Sequence, residues 1–594
     1  MTKPLKITLI SLSSIVALLL LAILYLSFDG RSRLNVLRHR LFSKSGEMIK
    51  EYVLPARRGR ILAADGRTLA ESVGRYDIFM DCCVVKDEDK WSEESRALSR
   101  EIALVLPTRS APEWWAYFQD ARQKGNKYIP IVKDIDWTMK DSLAKLPLFR
   151  DGQFAGGFIA EHHFARVFPY DSLARRSLGY PRWETPGVGL EGRFNTALAG
   201  VNGTQTVKFT TSNGVVRHKE IGRQNPIPGY DVRTTLDMDL QAKADSALRL
   251  AIGPDEKLYA GCLVLMDVKT GAIKAIVNLN RTEDGRLKEN YNYAIGRSYE
   301  PGDVVSTMTL SAALQDHLIG SLDDEIATFH GKTPNLPQDL HVLDYERTTG
   351  KRDITILEGF KRSSHYVMAD VALRYKDTPQ YYTEGMKALC LPEDLDFDIV
   401  GLRDVDIVEP GTYYWTETSL PSMGFGYAWT MTPLHVLAFY NTLAAGGKMM
   451  KPYLVEQLEP YDGDPKGFVA YGPKVLKEKV LRPDVIAEVT RGLKACVEDG
   501  TAKALKNAKY PVAGKTGTAR QILPKDEQTD PEKDPYSDSK GRHQYAATFA
   551  GFFPADDPQY SIICVIYSNP CEKTYFGGGL PTQVVLDVVN STEF

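Results

Sequence analysis

The first sustained pattern in the chain is apolar without interruption. Ile7 to Phe28 reads ITLISLSSIVALLLLAILYLSF and carries no charge, and about 20 such residues suffice to cross a bilayer as a helix. A membrane span over 7–28 is expected, behind a short tail of residues 1–6. It should persist as a signal anchor, because its apolar core exceeds the h-region of a cleaved signal peptide and no small-x-small site precedes Asp29. Charge does not orient the span: Lys3 and Lys6 precede it, while Arg31, Arg33, Arg38 and Arg40 follow.

Beyond the span the pattern breaks into shorter periods. Arg31 to Lys50 is basic and helix-compatible. Ile61-Leu62, an Asp65-Gly66 turn and Thr68-Leu-Ala70 predict a hairpin. From Tyr76 to about Tyr230 short strands mix with helices such as 93–106, giving an irregular α+β region. A new regime starts at Asp231, with a strand, an acidic cap and a helix running through Leu250. Cys262 to Val277 then reads as two strands around Lys269-Thr-Gly271, and Ala546–Phe553 with Tyr560–Tyr567 as a second pair. Strands first, helices between and strands last predict an antiparallel sheet closed by both ends of its domain and covered by helices. The polar stretch Pro524 to Gln544 is expected to be a mobile surface loop.

Composition narrows the function classes. With 594 residues, 43% apolar and 25% charged, the chain is a folded protein of two or three domains. A net charge of −3 and no basic stretch interleaved with aromatics exclude nucleic acid as a partner. The seven cysteines (Cys82, Cys83, Cys262, Cys390, Cys496, Cys564, Cys571) show no C-x-x-C spacing and predict neither a zinc site nor a disulfide scaffold. Cys262 and Cys564 fall inside apolar strands and read as core. No metal or cofactor is implied.

Three short elements carry candidate chemistry: Tyr299-Glu-Pro-Gly-Asp303-Val-Val-Ser306 opening a helix through Gln315, Phe360-Lys-Arg-Ser363-Ser364-His365, and Val512-Ala-Gly-Lys515-Thr516-Gly517-Thr518-Ala519 on a strand. In this order, the chain resembles the class B penicillin-binding proteins, most of all their septal, cell-division transpeptidases. The resemblance extends over the 58–70 hairpin, Gly187-Val-Gly-Leu-Glu-Gly192, Leu198-Ala-Gly-Val-Asn-Gly203, Thr235-Leu-Asp-Met-Asp-Leu-Gln241 and Met266-Asp-Val-Lys-Thr-Gly-Ala-Ile273. It continues through Asn292 to Gly302, Gly424-Phe-Gly-Tyr427, Asn441-Thr-Leu-Ala-Ala-Gly-Gly447 and Gly514 to Ala519. Each motif alone is weak, as the stray Lys269-Thr-Gly271 shows; the ordered set is specific. The resemblance implies an α+β chain with a transmembrane helix at 7–28, an elongated pedestal domain at 29–230 and a transpeptidase-like domain at 231–594 with a serine-β-lactamase-like sheet. It also implies an inner-membrane location with the bulk of the chain outside the cytoplasm. The implied partners are peptidoglycan stem peptides, a membrane glycosyltransferase and other division proteins.

In that family a serine at a helix mouth attacks a D-alanyl-D-alanine stem peptide, and a lysine one turn on accepts its proton. The second motif's serine and asparagine relay protons, and the Lys-Thr-Gly strand binds the peptide as an added strand. This sequence keeps Lys515, Thr516, Gly517, Thr518 and Ser363, but has Asp303 at the nucleophile position, Ser306 at the lysine and His365 at the asparagine. Losing the nucleophile alone in a comparable serine site costs about 10⁶ in rate, so the three replacements together leave no acyl transfer by the usual route. The matches Ser142-Leu-Ala-Lys145 and Ser537-Asp-Ser-Lys540 lack the surrounding signature and are rejected. Non-catalytic readings stand beside these: Asp303 as a helix N-cap favoured by the dipole, His365 as a polar helix start, Ser363 as a cap, and Lys515 as an anion contact or a strand kept for folding. A pseudo-transpeptidase scaffold or regulator is therefore expected. The alternatives are an enzyme rearranged around Ser306, with Asp303 as its base, or around Ser363, and a non-acylating sensor that holds a stem peptide or β-lactam through Lys515 and Thr516.

Overall fold

The computed structural model describes residues 47–181, 187–212, 215–390, 395, 397–461, 463, 467–530 and 534–594. The apolar run 7–28 lies outside them, and among the described residues no helix is long and apolar enough to cross a membrane.

By contacts the chain divides into two units, one of residues up to Arg57 together with Ala199–Gly229, the other of Arg58–Leu198 together with Tyr230–Phe594. In the first, the strands Glu47–Leu54, Gly203–Ser212 and Val215–Gln224 form a three-stranded antiparallel sheet with Gly203–Ser212 in the middle. This corrects the helix-compatible reading of 31–50 over its last residues: Ile49 and Lys50 pair with Lys208 and Val207. Pairing with a strand some 160 residues away in sequence overrides a weak local propensity. Residues 31–46 lie outside the described part.

In the second unit the predicted hairpin forms, with Ile61 opposite Ala70. The expected helix at 93–106 spans Glu88–Val105, starting earlier because the Asp87 carboxylate accepts the Asp89 and Lys90 amides. Trp91, Trp114 and Phe118 build a local core there. A carboxylate ties distant segments together: Glu191, fully buried, receives Arg58 and Arg166, each at 2.6 Å. Arg60 likewise meets Asp231 at 2.6 Å, where strand Ile61–Leu62 runs parallel to Asp231–Thr234.

The region that positions the candidate site is a six-stranded sheet with helices on both faces. Its elements, in chain order, are α1 (Met238–Ile252), β1 (Leu258–Asp267), β2 (Ile273–Arg281), β3 (Leu287–Lys288), α2 (Ser306–Gln315), α3 (His365–Leu373), α4 (Pro433–Ala444), α5 (Pro483–Glu498), β4 (Ala513–Gln521), β5 (Gln544–Phe553), β6 (Tyr560–Ser568) and α6 (Leu580–Ser591). The strand order β3-β2-β1-β6-β5-β4 places the first and last strand pairs side by side, as the strands-helices-strands pattern predicts. β1 and β6 are apolar on both faces because both faces are covered. Leu263, Leu265 and Cys564 pack under α1 and α6, while Cys262, Val264 and Ile563 share the opposite core with α2 and α4. One register row crosses the sheet: Ile276, Val264, Ile563, Ala550 and Lys515 are successive cross-strand partners. Alternation along β4 thus sends Lys515 to the face that carries α2.

The stretch 524–544 is not the plain surface loop expected. It forms strands Gln528–Asp530 and Asp534–Asp538. Asp538 accepts the Arg542 amide and guanidinium at 2.8 Å each, so polar residues satisfy one another locally.

Glu191 yields a direct test. Glu191→Ala strands two guanidinium groups in a buried setting and is expected to cost about 3–5 kcal/mol, measured by denaturant unfolding; a loss under about 1 kcal/mol would contradict the role given to it.

Candidate active site

The loop ahead of α2 is held by its backbone. Gly302 has φ +64°, a left-handed conformation that favours glycine, and its amide donates to the Gly426 carbonyl at 3.2 Å. Gly302 to Val305 form a 3₁₀ turn that leads into α2. Asp303 sits inside that turn, so it is not the N-cap; the capping reading is corrected. Its side chain is buried, with the residue 5% exposed, and it faces His365, whose Nε2 lies 3.4 Å from Oδ1. The contact is charge to charge, since Oδ1 has no aligned hydrogen bond.

His365 is aimed by its own helix start. It is the first residue of α3, as expected for a polar helix start, and the cap is Ser364, not Ser363. The Ser364 hydroxyl accepts the Val367 amide at 3.2 Å and donates to Asp339 Oδ2 at 2.7 Å, and Asp339 also accepts the Tyr366 amide at 2.9 Å. The imidazole then lies flat on Phe425, 4.2 Å between ring centres at 7°. Its side chain keeps 46% exposure.

Ser363 has φ +59° and turns its hydroxyl to Lys515, whose fully buried ammonium donates to it and to the Thr516 carbonyl at 3.0 Å. Thr516 exchanges a hydrogen bond with Thr501 at 2.6 Å, and the Thr518 hydroxyl accepts the Gly577 amide at 3.0 Å. Gly517 packs against the loop: a Cβ there would meet the Pro301 carbonyl at 2.7 Å. Ser306 is elsewhere in effect. It is 1% exposed and its hydroxyl donates to the Gly424 carbonyl at 3.4 Å, a bond shared with Thr309 at 3.1 Å.

Burial by itself would raise the Asp303 pKa, but the positive charges of His365, Lys515 and His341 outweigh it and hold the carboxyl below the usual range. For His365 burial pulls down and Asp303 pulls up more strongly, leaving the imidazole above its ordinary value. Both partners are thus held charged. A carboxylate so placed is a poor acyl acceptor: attack on an amide would give an anhydride, a stronger acylating agent than the amide consumed.

Five residues at the mouth were not singled out from the sequence: Asp339, Phe425, Tyr427, Glu300 and Tyr536. Burial raises the Glu300 carboxyl to about 7 against the hydrogen bonds from Tyr536 and the Ala428 amide. Glu300, Phe425 and Tyr427 lie inside motifs that carry the resemblance, so their positions are visible in the sequence; Asp339 and Tyr536 carry no local signal. Ser142 lies on the helix Trp137–Ala144, bonded to the Thr138 carbonyl, and Ser537 faces His543, so neither rejected serine joins the cluster.

Comparison with known proteins places the chain in a family. Residues 261–590, more than half of the chain, fit the penicillin-binding protein transpeptidase domain, and 53–185 fit the penicillin-binding protein dimerisation domain. The chain belongs to the class B penicillin-binding proteins. Among its relatives, Escherichia coli peptidoglycan D,D-transpeptidase FtsI is 24% identical over 93% of this chain and 86% of its own. Probable peptidoglycan D,D-transpeptidase PenA of Neisseria gonorrhoeae is 23% identical over 94% and 89%. Two solved structures share the fold: penicillin-binding protein 2X of Streptococcus thermophilus (TM-score 0.70, 20% identity, 91% of this chain and 79% of that one) and a peptidoglycan synthetase from Bifidobacterium adolescentis (0.62, 19%, 91% and 96%).

In this class B penicillin-binding protein the ion pair sets a pH window. The stabilisation from His365 is full below about pH 6.5 and is lost as pH rises through its raised folded value. That from Asp303 is present above about pH 4 and lost as pH falls through its lowered one. Asp303→Asn should therefore lower the thermal midpoint more near pH 5.5 than near pH 9, and NMR titration should show the His365 pKa falling in the variant. The same His365 titration in both proteins would contradict the pairing.

Proposed function

We propose that this protein is a pseudo-transpeptidase that serves peptidoglycan synthesis during cell division as a scaffold or regulator. The observation that carries the reading is the Asp303–His365 pair: the nucleophile and relay positions of the family hold opposite charges that face each other at 3.4 Å. Ser306, at the lysine position, is turned away onto the Gly424 carbonyl. At the head of α2 the carboxylate of Asp303 is engaged by His365 and the Ser306 hydroxyl by the Gly424 carbonyl, so the family's serine–lysine couple has no counterpart there.

The apolar run 7–28 supports a single-pass anchor in the inner membrane, with the pedestal (29–230) and transpeptidase-like (231–594) regions outside the cytoplasm. The likeness to FtsI supports work alongside division proteins and a membrane glycosyltransferase, on a surface where stem peptides are the substrate of active relatives.

One contact favours a second reading. Lys515 donates to the Ser363 hydroxyl, a serine–lysine pair that would serve acyl transfer if Lys515 gave up its proton. The two readings separate on one experiment. Incubated with a fluorescent penicillin, the purified full-length protein is expected to carry no covalent label in denaturing gels and no added mass; an adduct mapped to Ser363, Ser306 or any other serine would overturn the pseudoenzyme reading.

A further inference from the structure

Among the described residues β4 ends the sheet and pairs only with β5, so no strand lies along its outer edge. In an antiparallel ladder, alternate residues direct both their N–H and C=O to the same edge. The Arg520 amide donates to the Tyr427 hydroxyl at 3.0 Å, which identifies Arg520, Thr518 and Thr516 as the outward set. All three positions are covered. The Thr516 carbonyl takes the Lys515 ammonium at 3.0 Å, and Gly302 lies so close that a Cβ on it would stand 3.3 Å from the Thr518 nitrogen.

Tyr427 is held in place by a chain of rings that begins at the altered motif. His365 stacks on Phe425, Phe425 meets Tyr427 edge-on at 5.8 Å, and Tyr427 meets Tyr536 edge-on at 6.0 Å. Tyr536 donates to Glu300 Oε1 at 3.1 Å, and the same oxygen accepts the Ala428 amide at 3.2 Å. The backbone between the rings is fixed as well. Gly426 has φ +90°, and a Cβ on it would fall 2.2 Å from the Gly302 carbonyl, so the loop lies directly on the turn that carries Asp303. Edge-to-face aromatic pairs stabilise beyond their buried area and so favour one loop position.

We propose that Phe425 and Tyr427 form an autoinhibitory clasp, in which the Tyr427 hydroxyl stands where an incoming strand would offer its carbonyl and keeps peptides off the outer edge of β4. The inference rests on the reading of this cleft as non-acylating. Replacement of the family asparagine by His365 gains a purpose from it: the ring that neutralises Asp303 is also the platform on which the clasp rests.

The test uses the full-length protein in detergent and two readouts. Tyr427→Phe removes only the hydroxyl and keeps the ring contacts, so it should fold. Amide exchange at Arg520 is expected to quicken about fivefold in this variant, the effect of losing one hydrogen bond. Diacetyl-lysyl-D-alanyl-D-alanine is then titrated as the probe. Phe425→Ala/Tyr427→Phe should bind it non-covalently at least about tenfold more tightly than wild type. Unchanged Arg520 exchange, or equal affinity in the two proteins, absence of binding by both included, would overturn the clasp. Intact mass is recorded on the same samples, and a covalent adduct there would count against the non-acylating reading alone, leaving the comparison of affinities and exchange to judge the clasp.

Discussion

A carboxylate buried at the head of α2 has to be paired, and the cleft is arranged around that requirement. An isolated ionised carboxyl in such a place costs several kcal/mol. Asp303 avoids the cost through His365 at 3.4 Å and the nearby charge of Lys515. The pairing constrains α3 in turn. Asp339 and Ser364 fix its first turn so that the imidazole reaches Asp303 from one side and stacks on Phe425 from the other. Had only the serine changed, the cleft would keep a second lysine and no histidine. With all three positions changed, the charges balance locally.

The fold does not depend on acyl-transfer chemistry. The register row from Ile276 to Lys515 is set by backbone pairing and apolar burial on both sheet faces, and Lys515 is placed by the same alternation that buries Val264 and Ile563. Its ammonium is satisfied by Ser363 and Thr516, which keeps a buried cation tolerable without any substrate. The Lys-Thr-Gly strand thus has a structural reason to be kept whether or not the cleft reacts. The active set and the self-satisfied set are two solutions to the same problem of polar groups gathered between a sheet edge and a helix end.

How much of this was legible beforehand follows the range of each interaction. The sheet and its closure by both chain ends were readable because runs such as Cys262–Met266 and Ile562–Ile566 are continuously apolar, and α1 was readable from Asp237 and the apolar spacing after it. The identities at 303, 306, 363, 365 and 515 were readable from motif order. Their relations were not. A carboxylate at a helix mouth reads as a cap, whereas at Asp303 a 3₁₀ turn intervenes and the side chain points across to a residue 62 positions later. Sequence alone leaves Ser363 open as cap or relay, because Ser363 and Ser364 look alike until the left-handed backbone at Ser363 is known; the cap is Ser364. The 524–544 stretch reads as a loop because its strands are short and polar; what anchors Tyr536 is Glu300, more than 200 residues earlier. Long-range polar contacts leave no periodicity to read.

The central claim is that this protein works without chemistry in its cleft, and the measurement that bears on it most directly is complementation in the cell that makes it. The chromosomal copy is depleted while full-length wild type or the double variant Asp303→Ala/Lys515→Ala is supplied at matched levels. Septum formation and cell length are then scored. The account predicts that the double variant restores division as fully as wild type. Failure of a stably folded, normally abundant double variant to do so would contradict it.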